Sequence, residues 1–283
     1  MNDFQLENAL VVSAWCLGVV VGLMVFTAVL ARVSGKISVV DTIWGLGFIA
    51  VALTSALVGT RQIMDWGCPL SFGAVDPCSM APADDHDRRM VLVLAMVTIW
   101  GGRLAWHIYR RSRGHGEDPR YEELMSSGPG GMVRKVLLPQ GLAIWFVSLP
   151  VQVTSVSGGY VAWVLWLGVV VWVVGLAFEA IGDAQLAAYK RDPDRGPVMD
   201  RGLWRYTRHP NYFGDSAVWW GIYLVCASAA PALFTILSPI AMTYFLVHAT
   251  GARLLERTMM KRPGYPEYAA RTSMFFPLPP KAA

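Results

Sequence analysis

Between Asp200 and Asp215 the chain reads Asp-Arg-Gly-Leu-Trp-Arg-Tyr-Thr-Arg-His-Pro-Asn-Tyr-Phe-Gly-Asp, a basic, turn-rich segment set between two strongly apolar stretches. Arg201, Arg205 and Arg208 bring three guanidinium groups into eight positions. A guanidinium grips two oxygens at once, so arginines grouped this way suit a phosphate-bearing ligand. Pro210 ends any helix before it, and Asn211, Tyr212 and Asp215 open the apolar stretch that follows. A positive anchor at a membrane surface needs only the charges. It gives no reason for His209-Pro210-Asn211-Tyr212-Phe213-Gly214.

Upstream, Glu179 and Asp183 are spaced i,i+4, which puts both carboxylates on one helix face. Two acids at the negative end of a helix are unfavourable unless basic partners approach, and Lys190 and Arg191 follow. Such acceptors can bind ribose hydroxyls or an adenine amine; Glu256, after Arg253, is a further candidate of this kind. An ionisable residue at the centre of a membrane span costs on the order of 2.5–3.5 kcal/mol, so Asp41 and Arg103 also need reasons. Asp41 is either a helix amino-terminal carboxylate facing the dipole or a proton donor and anchor for a substrate oxygen. Arg103 either snorkels to the interface or reaches a ligand, with Gly101 and Gly102 permitting close approach. The histidines at 86, 107, 115, 209 and 248 are scattered, with neither His-x-x-x-His nor Cys-x-x-Cys, so no metal is expected. Nor is there a Gly-x-Ser-x-Gly, a Walker loop or a Gly-x-Gly-x-x-Gly. A nucleotide here has to be held by a membrane bundle.

The elements that position these groups are helices. Of 283 residues 54% are hydrophobic and only 16% charged, against roughly 25% charged in soluble domains. Apolar runs approaching the ~20 residues of a spanning helix lie near 9–31, 38–60, 90–108, 136–154, 160–182, 214–230 and 231–250. The expectation is an all-α, integral membrane seven-helix bundle forming a single domain over 1–283. Basic residues crowd loops 109–135 and 190–210 and the tail, while loop 61–89 carries Asp65, Asp76, Asp84, Asp85 and Asp87. With seven spans every basic loop falls on the cytoplasmic side, placing the amino terminus outside and the carboxy terminus in the cytoplasm. The net charge of +4 then reflects topology, and no nucleic-acid partner is expected. Cys16 and Cys226 read as packing residues; Cys68 and Cys78 share the outer loop, where a disulfide is possible. Gly128-Pro129-Gly130-Gly131 reads as a mobile link between halves.

The segment Asp200–Tyr206 followed by His209–Asp215 resembles the carboxy-terminal signature of the steroid 5-alpha-reductase superfamily. The tail Arg262-Pro263-Gly264-Tyr265-Pro266-Glu267-Tyr268, closing in Phe275-Phe276-Pro277, is similar to the same domain. The resemblance covers roughly 136–280 and is nearest to bacterial membrane proteins carrying that domain, which implies a multi-pass protein of the bacterial inner membrane. It implies a seven-helix protein that binds NADPH and reduces an activated carbon–carbon double bond. By position, Glu179, Asp183, Asn211, Tyr212 and Asp215 match cofactor-contacting residues, Lys190 matches a phosphate-binding arginine, and Arg103 an arginine on the third helix. Arg205 is expected to contribute to the same phosphate site. Steroid reductases hold a 3-keto oxygen with a Glu and a Tyr; here Asp41 is the loose counterpart of the Glu, and Trp100 occupies the Tyr position. These departures point to an apolar lipid or steroid-like substrate, with Asp41 as acid or polarising group.

Isoprenylcysteine and phospholipid methyltransferases of membranes also carry Arg-His-Pro-x-Tyr-x-Gly, where it helps bind S-adenosylmethionine. The run Arg208–Gly214 satisfies that pattern. Those enzymes place a Glu-Glu pair on the last helix, whereas here Glu256 is followed by Arg257. The resemblance to the reductases is therefore the stronger one, with the methyltransferase as alternative.

Overall fold

The computed structural model describes residues 6–67, 85–114, 116–117, 121, 128–249 and 251–281. Cys68 and Cys78, and most of the acidic loop 61–89, lie outside the described residues. Among the described residues the chain is all-α: no strand forms, and extended pairing is limited to an isolated bridge between Thr207 and Ser273. Five helices are long and apolar enough to cross a membrane by length and composition: Leu6–Ser34, Val39–Thr60, Arg88–Ser112, Ala162–Arg191 and Ala230–Met259. They fit a multi-pass integral membrane protein.

Two compact units divide the chain, one of residues 1–165 and 225–238, the other of 166–224 and 239–283. In the first, helix α1 (Leu6–Ser34) buries Ala9, Val12, Cys16, Val20, Met24, Thr27 and Ala31. That spacing of three and four is one face of a helix, and the remaining faces present Leu10, Trp15, Val25 and Phe26 outward. At 1.5 Å per residue, 29 residues reach about 44 Å, longer than a hydrocarbon core of about 30 Å. Helix α2 (Val39–Gly67) meets α1 where the Cys16 thiol and the Ser55 hydroxyl lie 3.4 Å apart. Helix α3 (Asp85–Ser112) crosses α2 at Gly45 and Gly101. A Cβ on Gly45 would stand 2.4 Å from the Gly101 carbonyl oxygen, so neither position accepts a side chain without separating the helices. Gly102, beside it, has open space instead.

The run at 136–154 is not one continuous span. Gly128–Met132 is a short helix, α4, rather than a loose link; a π turn at Val133–Leu137 leads into α5 (Leu138–Val147) and then α6 (Leu149–Thr154). Pro139 and Pro150 lack the N–H that would continue the ladder and clash with the carbonyl four residues back. Ser148, between α5 and α6, turns its hydroxyl to the Ile144 carbonyl at 2.7 Å. Arg89, buried on α3, donates to the carbonyls of Ser157 and Gly159. It thereby holds the link that follows α6.

In the second unit, α7 (Ala162–Arg191, from Trp166 onward) packs against α8 (Pro210–Ala227, through Leu224). Here too glycines set the distance. A Cβ on Gly214 would lie 2.4 Å from the Glu179 amide nitrogen, and one on Gly175 would lie 2.6 Å from that of Val218. Gly182 meets Pro210 and Asn211, while Gly221 meets Trp172, so the two helices run antiparallel. The run at 214–230 starts earlier than the apolar pattern implies because Pro210 sits at the first helical position, where its missing N–H costs nothing. Downstream come a 3-10 turn (Ala230–Thr235), α9 (Leu237–Tyr244), a π turn (Phe245–Ala249), α10 (Ala252–Met259) and α11 (Tyr265–Arg271).

Candidate functional site

The signature segment 200–215 is pinned from both sides within the second unit. A 3-10 turn at Gly202–Arg205 places Trp204 so that its indole N–H donates to the Gly182 carbonyl of α7 at 3.1 Å. Gln185 of α7 accepts the Leu203 amide at 3.0 Å. From the other side comes the tail. Thr207 donates its hydroxyl to the Phe275 carbonyl at 2.8 Å, the Arg208 amide donates to Ser273, and the Leu278 amide to Tyr206. Phe213 is ringed by Phe178, Phe275 and Phe276 at centroid distances of 5.3, 6.0 and 6.2 Å.

This frame brings together Glu179, Asp183, Asn211 and Asp215. The Asn211 amide donates to Asp183 Oδ1 at 3.3 Å, joining the start of α8 to α7. Glu179, Asp183 and Asp215 are all buried, at 2%, 9% and 7% exposure. Burying three carboxylates around one helix crossing is costly unless each is hydrogen-bonded or meets a ligand. Tyr212 is half-buried, its ring parallel to that of His209 at 5.5 Å and 6°. Lys190 and Arg205 are exposed, as is Arg201.

Arg208 departs from the phosphate-binding trio read in the sequence. Its Nε and Nη2 donate to the two oxygens of Glu256 at 2.9 and 2.8 Å, and Nη1 donates to the carbonyls of Ala269 and Thr272. Burial alone would lower its pKa, but the hydrogen bond and charge of Glu256 more than offset this and hold the guanidinium above its usual value. Glu256 also accepts from His209 Nε2 at 3.0 Å and from the Tyr265 hydroxyl at 2.7 Å. Burial, and then the Glu256 carboxylate, push the Tyr265 phenol well above its ordinary value; burial does the same for Tyr268. In the sequence, Glu256 stood out by its place after Arg253 and as the one glutamate where the methyltransferases carry a pair, but its partners were not legible.

Asp41, Trp100 and Arg103 belong to the first unit. Asp41 lies in the first turn of α2 and accepts a hydrogen bond from the Tyr121 hydroxyl at 2.6 Å. Glu117 caps the same helix end, accepting from the amides of Ile37 and Ser38. Tyr121 and Glu117 were not legible as partners, since about eighty residues separate each from its contact. Trp100 is fully buried and packs edge-on against Phe48 at 5.5 Å, a core position between α2 and α3. Arg103 is half-buried on α3. Among the described residues no group of three or more His, Cys, Asp or Glu is arranged to hold a metal.

No solved structure matches the chain. An uncharacterized protein of Schizosaccharomyces pombe is 25% identical over 223 residues, 67% of this chain and 64% of the yeast protein. The chain thus aligns with less than two thirds of that relative. Residues 27–272 match the family described as Protein of unknown function (DUF1295), a match that begins well before the signature segment. It takes in α2, α3, the α7–α8 crossing and the whole Glu256 network, and the chain belongs to that family.

Proposed function

We propose that the chain is a membrane-embedded reductase that uses NADPH to saturate a carbon–carbon double bond in an apolar, lipid- or steroid-like substrate. The observation that carries this reading is the set of buried carboxylates Glu179, Asp183 and Asp215, with Asn211, at a helix crossing too close for side chains. Carboxylates are acceptors only, and buried acceptors in this number suit the hydroxyls and amine of a nucleoside. The exposed Lys190, Arg201 and Arg205 fit the phosphates of such a ligand. Tyr212, stacked on His209, offers a flat ring at the head of α8. When bound, NADPH would supply a hydride. The chain itself would orient the nucleoside through Asp183 and Asn211, and exclude water with the aromatic ring around Phe213. Proton delivery we assign to Asp41, which the Tyr121 phenol holds by a short hydrogen bond.

Seven spans complete the reading, with the broken run 133–154 and α8 as the two shorter crossings beside the five long helices. The basic segments then face the cytoplasm of a bacterial inner membrane, with the amino terminus outside. Cysteine labelling of intact cells should reach a residue placed in loop 61–89 and miss one placed after 265; cytoplasmic exposure of that loop overturns the orientation.

The same three carboxylates also favour a second reading, because they suit a cation as well as a hydroxyl. S-adenosylmethionine carries a sulfonium and no phosphate, and the run Arg208–Gly214 fits the methyltransferase pattern. Titration of the purified protein with both nucleotides separates the two. Charge-assisted contacts to phosphate contribute about 1.5–3 kcal/mol each. Lys190→Gln or Arg205→Gln should therefore weaken NADPH binding roughly tenfold or more, and leave S-adenosylmethionine unaffected. Saturable S-adenosylmethionine binding without NADPH binding would sink the reductase.

A further inference from the structure

We propose that Glu256 is a positioning residue for this site, seating Tyr212 and Asn211 through His209 without itself touching the ligand. Four donors converge on this carboxylate: Oε1 receives Arg208 Nε, His209 Nε2 and the Tyr265 hydroxyl, and Oε2 receives Arg208 Nη2. Oε1 is fully engaged and Oε2 is paired with a guanidinium, so the charge of Glu256 is already matched within the protein.

The consequences run along two short paths. The His209 ring lies parallel to that of Tyr212, so a shift of His209 carries Tyr212 with it. The His209 carbonyl accepts the Phe213 amide at 3.0 Å, which closes the first turn of α8 around Pro210 and Asn211. Asn211 in turn donates to Asp183. Arg208 explains why the brace is stiff: four of its five N–H groups end on Glu256, Ala269 and Thr272. It fastens α10 and the end of α11 to the head of α8, and phosphate recognition falls to the exposed Arg201 and Arg205.

The binding arm of the test rests on the nucleotide reading above; the spectroscopic arm does not. Full-length protein in detergent would be labelled with 3-fluorotyrosine and the Tyr212 resonance identified by its loss in Tyr212→Phe. In Glu256→Gln the Tyr212 resonance should move or split, and NADPH affinity should fall at least tenfold. Tyr265→Phe removes one bond to Glu256 but leaves Arg208 and His209 in place. It should lower Tm yet leave the Tyr212 resonance unmoved and NADPH affinity within twofold of wild type. Adding His209→Phe to Glu256→Gln should cost less than a further twofold in affinity, because both changes cut the same path. If Glu256→Gln does not fold, Glu256→Asp keeps the charge but is too short to meet Arg208 and His209 together, and should move the resonance in its place. An unmoved Tyr212 resonance in the Glu256 variant, or equal loss of affinity in Tyr265→Phe, overturns the proposal. Wild-type protein that binds no NADPH overturns the reductase reading alone, and the fluorine resonance then decides the positioning role.

Discussion

The two glycine crossings of this protein use the same device for different ends. At the α2–α3 crossing, Gly45 faces Gly101, with Phe48 and buried Trp100 packed edge-on beside it. At the α7–α8 crossing, Gly175 and Gly214 bring the helices equally close, but Glu179, Asp183, Asn211 and Asp215 flank the contact. Close approach gains dispersion contacts and backbone proximity in either case. Buried carboxylates add nothing to that packing and need polar partners to offset their desolvation, a demand that an apolar contact does not make. In the proposed reading the first crossing is architecture and the second borders the nucleoside.

Substituting the glycines should separate the two most sharply. Gly214→Ala and Gly45→Ala each force a Cβ to within 2.4 Å of backbone atoms, an overpacking cost of about 1–3 kcal/mol or more. Both should lower Tm in detergent. Only Gly214→Ala should abolish saturable NADPH binding; comparable loss in folded Gly45→Ala would dissolve the distinction.

A smaller effect is expected at Asp41. Asp41→Asn should lower lipid-dependent NADPH oxidation by roughly 10²-fold or more, the usual contribution of a positioned acid, with NADPH affinity unchanged. Tyr121→Phe, which removes the hydrogen bond to Asp41, should lower it less. Full activity in Asp41→Asn would return that carboxylate to a helix-capping role beside Glu117.

Next in size is Asp183→Ala, which strips Asn211 of its acceptor. Affinity for NADPH should fall roughly tenfold or more, on about 1.5–3 kcal/mol for one hydrogen bond to a charged group. The Tm should hardly change, because removing a buried carboxylate also removes its desolvation cost.

The smallest effect at neutral pH concerns the tyrosines of α11. The folded-state pKa values of Tyr265 and Tyr268 are raised, so the folded protein holds these protons more tightly than the unfolded chain does. The stabilisation is complete below the unfolded value near 10 and is lost as pH climbs toward the folded values. Tm should therefore decline above about pH 10, and less steeply in Tyr265→Phe. A flat Tm through that range would detach these phenols from the stability of the second unit.

Much of the helical content was legible from apolar run lengths, because a span must satisfy its backbone internally whatever surrounds it. The interruption within 136–154 was less so: the composition is continuous, and only the placement of Pro139 and Pro150 breaks the ladder. Glu179, Asp183 and Asn211 could be singled out by spacing and segment chemistry, and the structure brings them to one crossing. The role of Arg208 could not, since a guanidinium in a basic segment looks the same whether it waits for a phosphate or is already spent on Glu256. Tyr121 was hidden for a similar reason: its contact with Asp41 joins positions eighty residues apart, and one chain without its fold carries no signal for such a pair.

The sequence by itself determined that this chain is helical and apolar enough for a bilayer, and which segment concentrates polar chemistry. These are properties of composition and local periodicity, which act over a turn or two of backbone. Only the tertiary structure decided which charges spend their hydrogen bonds inside the protein and which remain at its surface. That choice depends on donor–acceptor distances of about 3 Å between residues far apart in the chain, and those distances exist only once the helices have packed.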